Sequence, residues 1–416
     1  MDEIKSCYIF LDVGEKPTVV AKYSFDKPIY RFIYGATYVN NPKAFALDPI
    51  NMPFLDPNRE MQNQGKDGFG VLADATPDKW GRNLTKALHT RIPLNQIEWL
   101  IAAQGNAVGC LVASLSKSQI KNTESNKIQF DDVKRYLRIA KAMERHEDVA
   151  EASTISMQIT TNALEKLVQH GSSMGGARPK VVVQHKGIEW IAKLNKESDL
   201  FDNARVEYAC MKMAQTIGIN TSHVELEEVA GSPILMVKRF DRNCPERKKH
   251  YISANSLLNI TRVREGDLSF SYMNLARVCS QICHDAQSNQ TELFTRMILN
   301  VMLSNTDDHL KNHGFLMYDM DKHHYGLSPA FDILPHGNIG SFPKIHALAL
   351  GENGREGSLK NILSRANSFG LSEDQAREII KNVKAVLEEK DSFFKDAGLS
   401  PTQIRSLEPY FNLKLI

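Results

Sequence analysis

The chain has 416 residues, more than one compact core ordinarily organises, which points to two or three domains. Its composition is that of a globular protein, 42% apolar and 24% charged, and 51 basic against 49 acidic residues leave a formal charge of +2. Bulk charge therefore does not call for nucleic acid or an acidic membrane as the main partner, and no stretch approaches the roughly 18 apolar residues of a membrane span. The opening MDEIKSCYIFLDVGEK has acidic residues among its first three positions and no cleavable apolar region, so no secretory signal is expected. Six cysteines scattered from Cys7 to Cys283 do not form a disulfide framework, and a reducing cytoplasm is the expected compartment.

The first elements in chain order are short strands: CYIFLDV, PTVVAKYSF and PIYRFIYG, rich in β-branched and aromatic residues between Gly and Pro breaks. In ATPDKWGRNLTKAL, Thr76 suits a helix N-cap, Pro77 the first helical position and Asp78 the first turn. A second helix, LNQIEWLIAAQ, stops at Gly105, and GCLVASLS reads as a further strand. Residues 1–115 thus form a small α+β unit, and the polar stretch 116–150 reads as a surface connection with a charged helix. A second β-rich section, 151–252, opens with MQITT and continues with PKVVVQHKGIEWIAKL, a hairpin turning at Lys186–Gly187. A helix over 203–217 stops at Gly218, and strands SHVEL and PILMVKRFD follow. From 253 to 416 the pattern is chiefly helical, with helices expected over 271–286, 290–304, 358–369 and 372–396. The fold class expected is α+β and bilobal: a β-rich lobe, a helical lobe and an extra N-terminal subdomain.

Four constellations carry chemistry, in a fixed order. GSSMGGARPK (171–180) is a small-residue run before a strand, the kind of backbone that can turn its N–H groups onto phosphate, with Arg178 and Lys180 adding charge. Such turns are common without any ligand, and no G-K-[ST] makes this a Walker loop. Lys193 lies in the apolar strand WIAKL, where it either alternates to solvent or needs a partner; Glu207 on the next helix is a candidate. NTDDHLKN (305–312) follows an amphipathic helix and has the Asp-x-x-x-x-Asn spacing in which a carboxylate orients a hydroxyl and an amide oxygen binds Mg²⁺. Asp307 is the expected base, Asp308 its first substitute, and a helix-capping loop the bland alternative. In LSPAFDILPH (327–336), Asp332 is either a cap or a metal ligand. Cys279, Cys283 and His284 could be drawn as a metal cluster, but thiols on a helix face account for them equally simply.

DATPDKWGRNL (74–84), AVGCL (107–111), SSMGGARPK, WIAKL, VKRFDR (237–242), NTDDHLKN and SPAFDILP, taken together and in this order, make the chain resemble the HipA-type serine/threonine kinases of bacterial toxin–antitoxin systems. The resemblance implies a kinase-like fold with an N-terminal subdomain, ATP and Mg²⁺ as cofactors, a protein substrate such as an aminoacyl-tRNA synthetase, and a HipB-like helix-turn-helix antitoxin through which DNA is reached. It implies Asp307 as proton acceptor and Asn312 and Asp332 as metal ligands. Nucleotide contacts are implied for Gly175, Gly176, Ala177, Arg178, Pro179, Lys180 and Lys193, for His309, Leu310 and Lys311 beside Asn312, and for Phe331 beside Asp332. Lys238, Arg239 and Phe240 stand at the adenine-holding hinge, largely through backbone groups, and Ser173 at the autophosphorylation position. Unlike eukaryotic kinases, the chain has no His-Arg-Asp, follows Asp332 with Ile-Leu-Pro, and lacks Ala-Pro-Glu. Two other readings share these residues: a co-repressor acting with a DNA-binding antitoxin, catalysis being secondary, and a small-molecule kinase.

Overall fold

The structure, a computed structural model, describes residues 3–14, 16–54, 59–65, 67–88, 92–120, 127–136, 178–244, 247–259, 269–336, 340 and 342–414. The chain divides into two compact units, one of Met1–Ser198, Glu227–Ile252 and Asp319–His323, the other of Asp199–Leu226, Ser253–Tyr318 and His324–Ile416.

In the first unit, the expected N-terminal strands form as β1 (Ser6–Leu11), β2 (Thr18–Asp26) and β3 (Ile29–Tyr34). With β4 (Met61–Asn63) and β5 (Leu111–Ser114) they make an antiparallel sheet of order β4-β3-β2-β1-β5. A second sheet has the order β6-β7-β8-β10-β9, from β6 (Ile128–Gln129), β7 (Lys180–His185), β8 (Ile188–Leu194), β9 (Val224–Val229) and β10 (Ser232–Lys238). The division between units runs through β9. Lys186 (φ 51°) and Gly187 (φ 76°) turn β7 into β8, the two positive dihedrals of a tight hairpin. The short β6 pairs parallel to β7, an element that the polar 116–150 stretch did not reveal. MQITT lies outside the described residues.

The compact units cut the chain elsewhere than at 115 and 150, and packing explains why. Helix Lys79–Leu88 buries Trp80 and Leu84 in one cluster with Val181, Val183, Trp190 and Met236 of the second sheet. Each such side chain contributes about 1.5–3 kcal/mol when fully buried, which ties the N-terminal segment to that sheet. The helix also starts later than Thr76 suggests. Asp78 Oδ1 accepts from Gly81 N–H at 2.7 Å, whereas the Thr76 hydroxyl donates back to Ala73 O at 2.7 Å.

The second unit is built on helix Ala286–Met302, whose Leu293, Phe294, Met297 and Ile298 are fully buried. Helices Tyr272–Ile282 and Glu373–Glu388 pack against it. The expected helix over 271–286 ends at Ile282, because His284 N–H donates to Tyr325 O at 2.9 Å and Asp285 caps the next helix through Ser288 N–H. Helix Asn203–Ile217 also belongs here, capped by Asp202 and stopped by Gly218 at φ 97°. Cys7, Cys110, Cys210, Cys279 and Cys283 are free thiols, and Cys279, Cys283 and His284 do not bring three ligand atoms together. Among the described residues no helix is long and apolar enough to cross a membrane.

Candidate active site

Helix Ala286–Met302 delivers the chain into Ser304, a non-glycine residue at φ 52°, and the segment 305–312 follows. Backbone bonds fasten it on both sides: His336 N–H to Ser304 O at 3.0 Å, and Ala347 N–H to Thr306 O at 3.0 Å. Leu310 is buried and anchors a single 3₁₀ turn, Leu310–Asn312, with Asn312 N–H donating to His309 O at 2.9 Å. Asp307 projects from this frame with its side chain 60% exposed, 4.0 Å from His336 Nε2. Its neighbour Asp308 is buried and hydrogen-bonded to His313 Nε2 at 2.9 Å and to the Tyr272 hydroxyl. Of the two adjacent acids, only Asp307 can meet a solvent-borne hydroxyl. Lys311 is exposed, and His309 is half-buried with Nδ1 sheltered.

Asp332 adopts φ 62°, a conformation rare outside glycine but tolerated by Asp and concentrated at functional sites. Asn305 Nδ2 reaches the Asp332 carbonyl at 3.4 Å, so the loop carrying Asp307 and the turn carrying Asp332 are bonded to each other. Phe331 and Asn312 line one small recess with Asn300, Asp308 and His313. Asn312 and Asp332 each offer oxygen, the donor a magnesium ion takes, so the residues present fit that ion.

The other expected site residues lie in the first unit. Lys193 sits on β8, flanked by buried Ala192 and Leu194, directly opposite Lys180 on β7 and Leu235 on β10. Lys180 is buried, and its ammonium pairs with Asp78 Oδ2 at 2.9 Å, while its carbonyl accepts from Trp80 Nε1 at 3.0 Å. Pro179 is buried, its carbonyl accepting from Leu194 N–H at 3.1 Å; Arg178 is half-buried. At the expected hinge, Lys238 closes β10 opposite Trp190, and the Phe240 ring lies 5.8 Å from that of Tyr251. Arg239 N–H is already given to Glu189 O at 3.1 Å, and its side chain is buried. Gly175, Gly176, Ala177 and the proposed phosphosite Ser173 lie outside the described residues. Glu207 is buried in helix Asn203–Ile217 of the second unit.

A family model of the HipA-like C-terminal domain matches residues 172–390. The chain belongs to that family. A putative kinase of Haemophilus influenzae is 25% identical over 197 residues, 42% of this chain and 55% of the relative. The putative kinase Y4dM of Sinorhizobium fredii is 28% identical over 228 residues, 49% of this chain and 52% of the relative. The chain spans about half the length of these curated relatives. In a solved complex of the Shewanella oneidensis toxin–antitoxin proteins HipA and HipB with operator DNA, the matching chain superposes with a TM-score of 0.66 at 16% identity, over 98% of this chain and 96% of the other. The HipA-like architecture therefore extends beyond the matched domain to nearly the whole chain, as an α+β kinase-like fold.

Within this HipA-like chain, what sequence reasoning missed is a cluster of buried charges around Asp241. Arg239 donates to both carboxylate oxygens of Asp241, at 3.1 and 2.8 Å, and to the carbonyls of Asn106 and Ala107. Arg242 reaches Asp241 at 2.6 Å and the Gly109 carbonyl at 2.8 Å, and Gly109 N–H donates back to Asp241 at 2.8 Å. Gly109 sits at φ 83°, where a side chain would be strained. VKRFDR thus grips the AVGC segment, a use beyond the implied hinge. Burial opposes ionisation of Asp241, but the two guanidinium groups outweigh it and hold its carboxyl far below the ordinary range. Glu189 is brought down to about 2, its burial overcome by Arg239, Arg242 and Lys127. The one sequence signal was an acid between two arginines at the end of an apolar strand.

Proposed function

We propose that the chain is an ATP- and Mg²⁺-dependent kinase that phosphorylates serine or threonine of a protein, in the manner of a HipA-type toxin. The observation that carries this reading is the contrast inside the 305–312 loop: Asp307 exposed, Asp308 buried, and the loop hydrogen-bonded to the turn of Asp332. Asp307 accepts the proton of the attacking hydroxyl as its oxygen bonds to the γ-phosphorus and the bond to the β-phosphate oxygen breaks, releasing ADP. Asn312 and Asp332 would hold magnesium, which neutralises phosphate charge when bound. Lys193 is assigned to the phosphates, and Ser173 to self-modification that lowers nucleotide affinity. A HipB-like helix-turn-helix partner is proposed as the antitoxin, supported by the likeness to a chain solved with HipB and operator DNA. The near-neutral balance of 51 basic and 49 acidic residues favours DNA contact through that partner rather than by this chain alone.

The test is phosphoryl transfer by the purified chain with radiolabelled ATP, followed by mass spectrometry of the chain and of candidate substrates. Asp307→Asn should lower transfer by about 10³-fold while leaving the melting temperature unchanged. ATP binding should require Mg²⁺ and weaken with Lys193→Ala. Binding indifferent to EDTA and to Lys193→Ala, or full incorporation by Asp307→Asn, would overturn the assignment. Tight sequence-specific DNA binding by the isolated chain would favour the co-repressor reading.

A further inference from the structure

We propose that Asp308 is the positioning residue of the active site, acting through a hydrogen-bond chain that runs from His313 through Tyr272, Asn300 and Asn305 to the turn of Asp332. The inference rests on the kinase reading above for the identity of the residues being positioned. Its geometry stands independently of that reading.

Each link is present. Asp308 Oδ2 accepts from His313 Nε2 at 2.9 Å and from the Tyr272 hydroxyl. The Tyr272 oxygen accepts from Asn300 Nδ2 at 3.1 Å, and Asn300 Oδ1 accepts from Asn305 Nδ2 at 3.0 Å. Asn305 Nδ2 also reaches Asp332 O at 3.4 Å. Every side chain in the sequence His313, Asp308, Tyr272, Asn300, Asn305 is buried. The Tyr272 ring stands edge-on to His313, centroids 5.4 Å apart, and His313 O accepts from Ala254 N–H at 2.9 Å.

The network holds the loop at Asn305, at Asp308 in its middle and at His313 directly after it. Between those points the only regular structure is the Leu310–Asn312 turn. Asp307 is covalently next to Asp308, and Asn312 next to His313, so the network sets the backbone of both without touching a substrate. A carboxylate is costly to bury unless paired and hydrogen-bonded, so placing one here demands a partner on each side and leaves few alternative arrangements. Tyr272 and Asn300 come from helices Tyr272–Ile282 and Ala286–Met302, which pack against each other. Displacing a catalytic group by about 1 Å is enough to cost about a hundredfold in rate.

The test compares Asp308→Asn, Tyr272→Phe and the double variant with the parent chain. Three readouts are taken: kcat and KM for ATP, ATP affinity by calorimetry, and amide hydrogen exchange over residues 305–313. Positioning predicts that Asp308→Asn lowers kcat by about a hundredfold, by more than it weakens ATP binding, and that Tyr272→Phe lowers kcat by about tenfold. The double variant should be no slower than Asp308→Asn alone, since both break one unit. Exchange over 305–313 should speed up while helix Ala286–Met302 keeps its protection. A merely structural Asp308 would instead lower the melting temperature with kcat of the folded fraction unchanged, and that result overturns the proposal. So does unaltered exchange in the loop. Should Asp308→Asn fail to fold, Tyr272→Phe, which deletes one oxygen, carries the same comparison. If the parent chain itself transfers no phosphate, the kinase reading fails, and exchange alone still decides whether the network braces the loop.

Discussion

Two short segments of this chain each carry several charges and put them to opposite uses. In VKRFDR, Arg239, Asp241 and Arg242 are all buried, each arginine is bonded to Asp241, and the two arginines donate to backbone carbonyls 130 or more positions away. In NTDDHLKN, one acid is buried and paired while the adjacent Asp307 is turned to solvent. Charge density alone therefore says little about chemistry. A buried charge whose every partner is protein holds the fold together, and an exposed one on a braced loop is available to a substrate.

The comparison breaks most visibly at Asp241. Asp241→Asn should cost about 3–5 kcal/mol of unfolding free energy in urea titrations, because it takes the nearest carboxylate from two buried guanidinium groups. The matching change at Asp307 should alter stability by no more than about 0.5 kcal/mol while lowering transfer by about 10³-fold. Equal losses at the two positions would erase the distinction between them.

Acid tests the buried side next. Burial lowers His250 and His346 to about 4, against the partial help of hydrogen bonds to Leu47 O and Asn305 O. Both are neutral in the fold and take up protons more readily when unfolded. Their contribution is fully present above the unfolded value near 6.5 and is lost as pH falls from there towards 4. Each should account for about 2 kcal/mol by pH 5, one in each unit. Denaturation at pH 7 and pH 5 checks this, and His250→Gln should flatten the dependence. A chain equally stable at both values would show that these rings are not sheltered.

The smallest effect sharpens the assignment of Lys180. The Asp78–Lys180 pair is buried on both sides, so Asp78→Asn and Lys180→Met should be coupled by about 1 kcal/mol or more in a double-mutant cycle of stability. The cycle can be repeated on ATP affinity. If Asp78→Asn/Lys180→Met restores stability and still binds ATP, Lys180 is an anchor of β7. If affinity falls with every loss of Lys180, whatever stands at 78, it also serves the phosphates.

The sequence by itself determined the local elements and the chemistry-bearing motifs. Alternation and turn residues placed β1, β2, β3 and the β7–β8 hairpin, Gly218 ended its helix, and the Asp-x-x-x-x-Asn spacing singled out the loop after Ala286–Met302. These depend on neighbours within a few residues, which a linear reading can see. Only the tertiary structure decided which of Asp307 and Asp308 faces solvent. The two acids are adjacent in the chain, and the difference in burial comes from Tyr272, 36 residues away, and from the turn that brings His313 back onto Asp308. The same holds for Asp78. Its capping role at the start of helix Lys79–Leu88 is local, but its ion pair spans 102 residues to Lys180. A buried charge is defined by what surrounds it, and those surroundings exist only once distant segments have packed together.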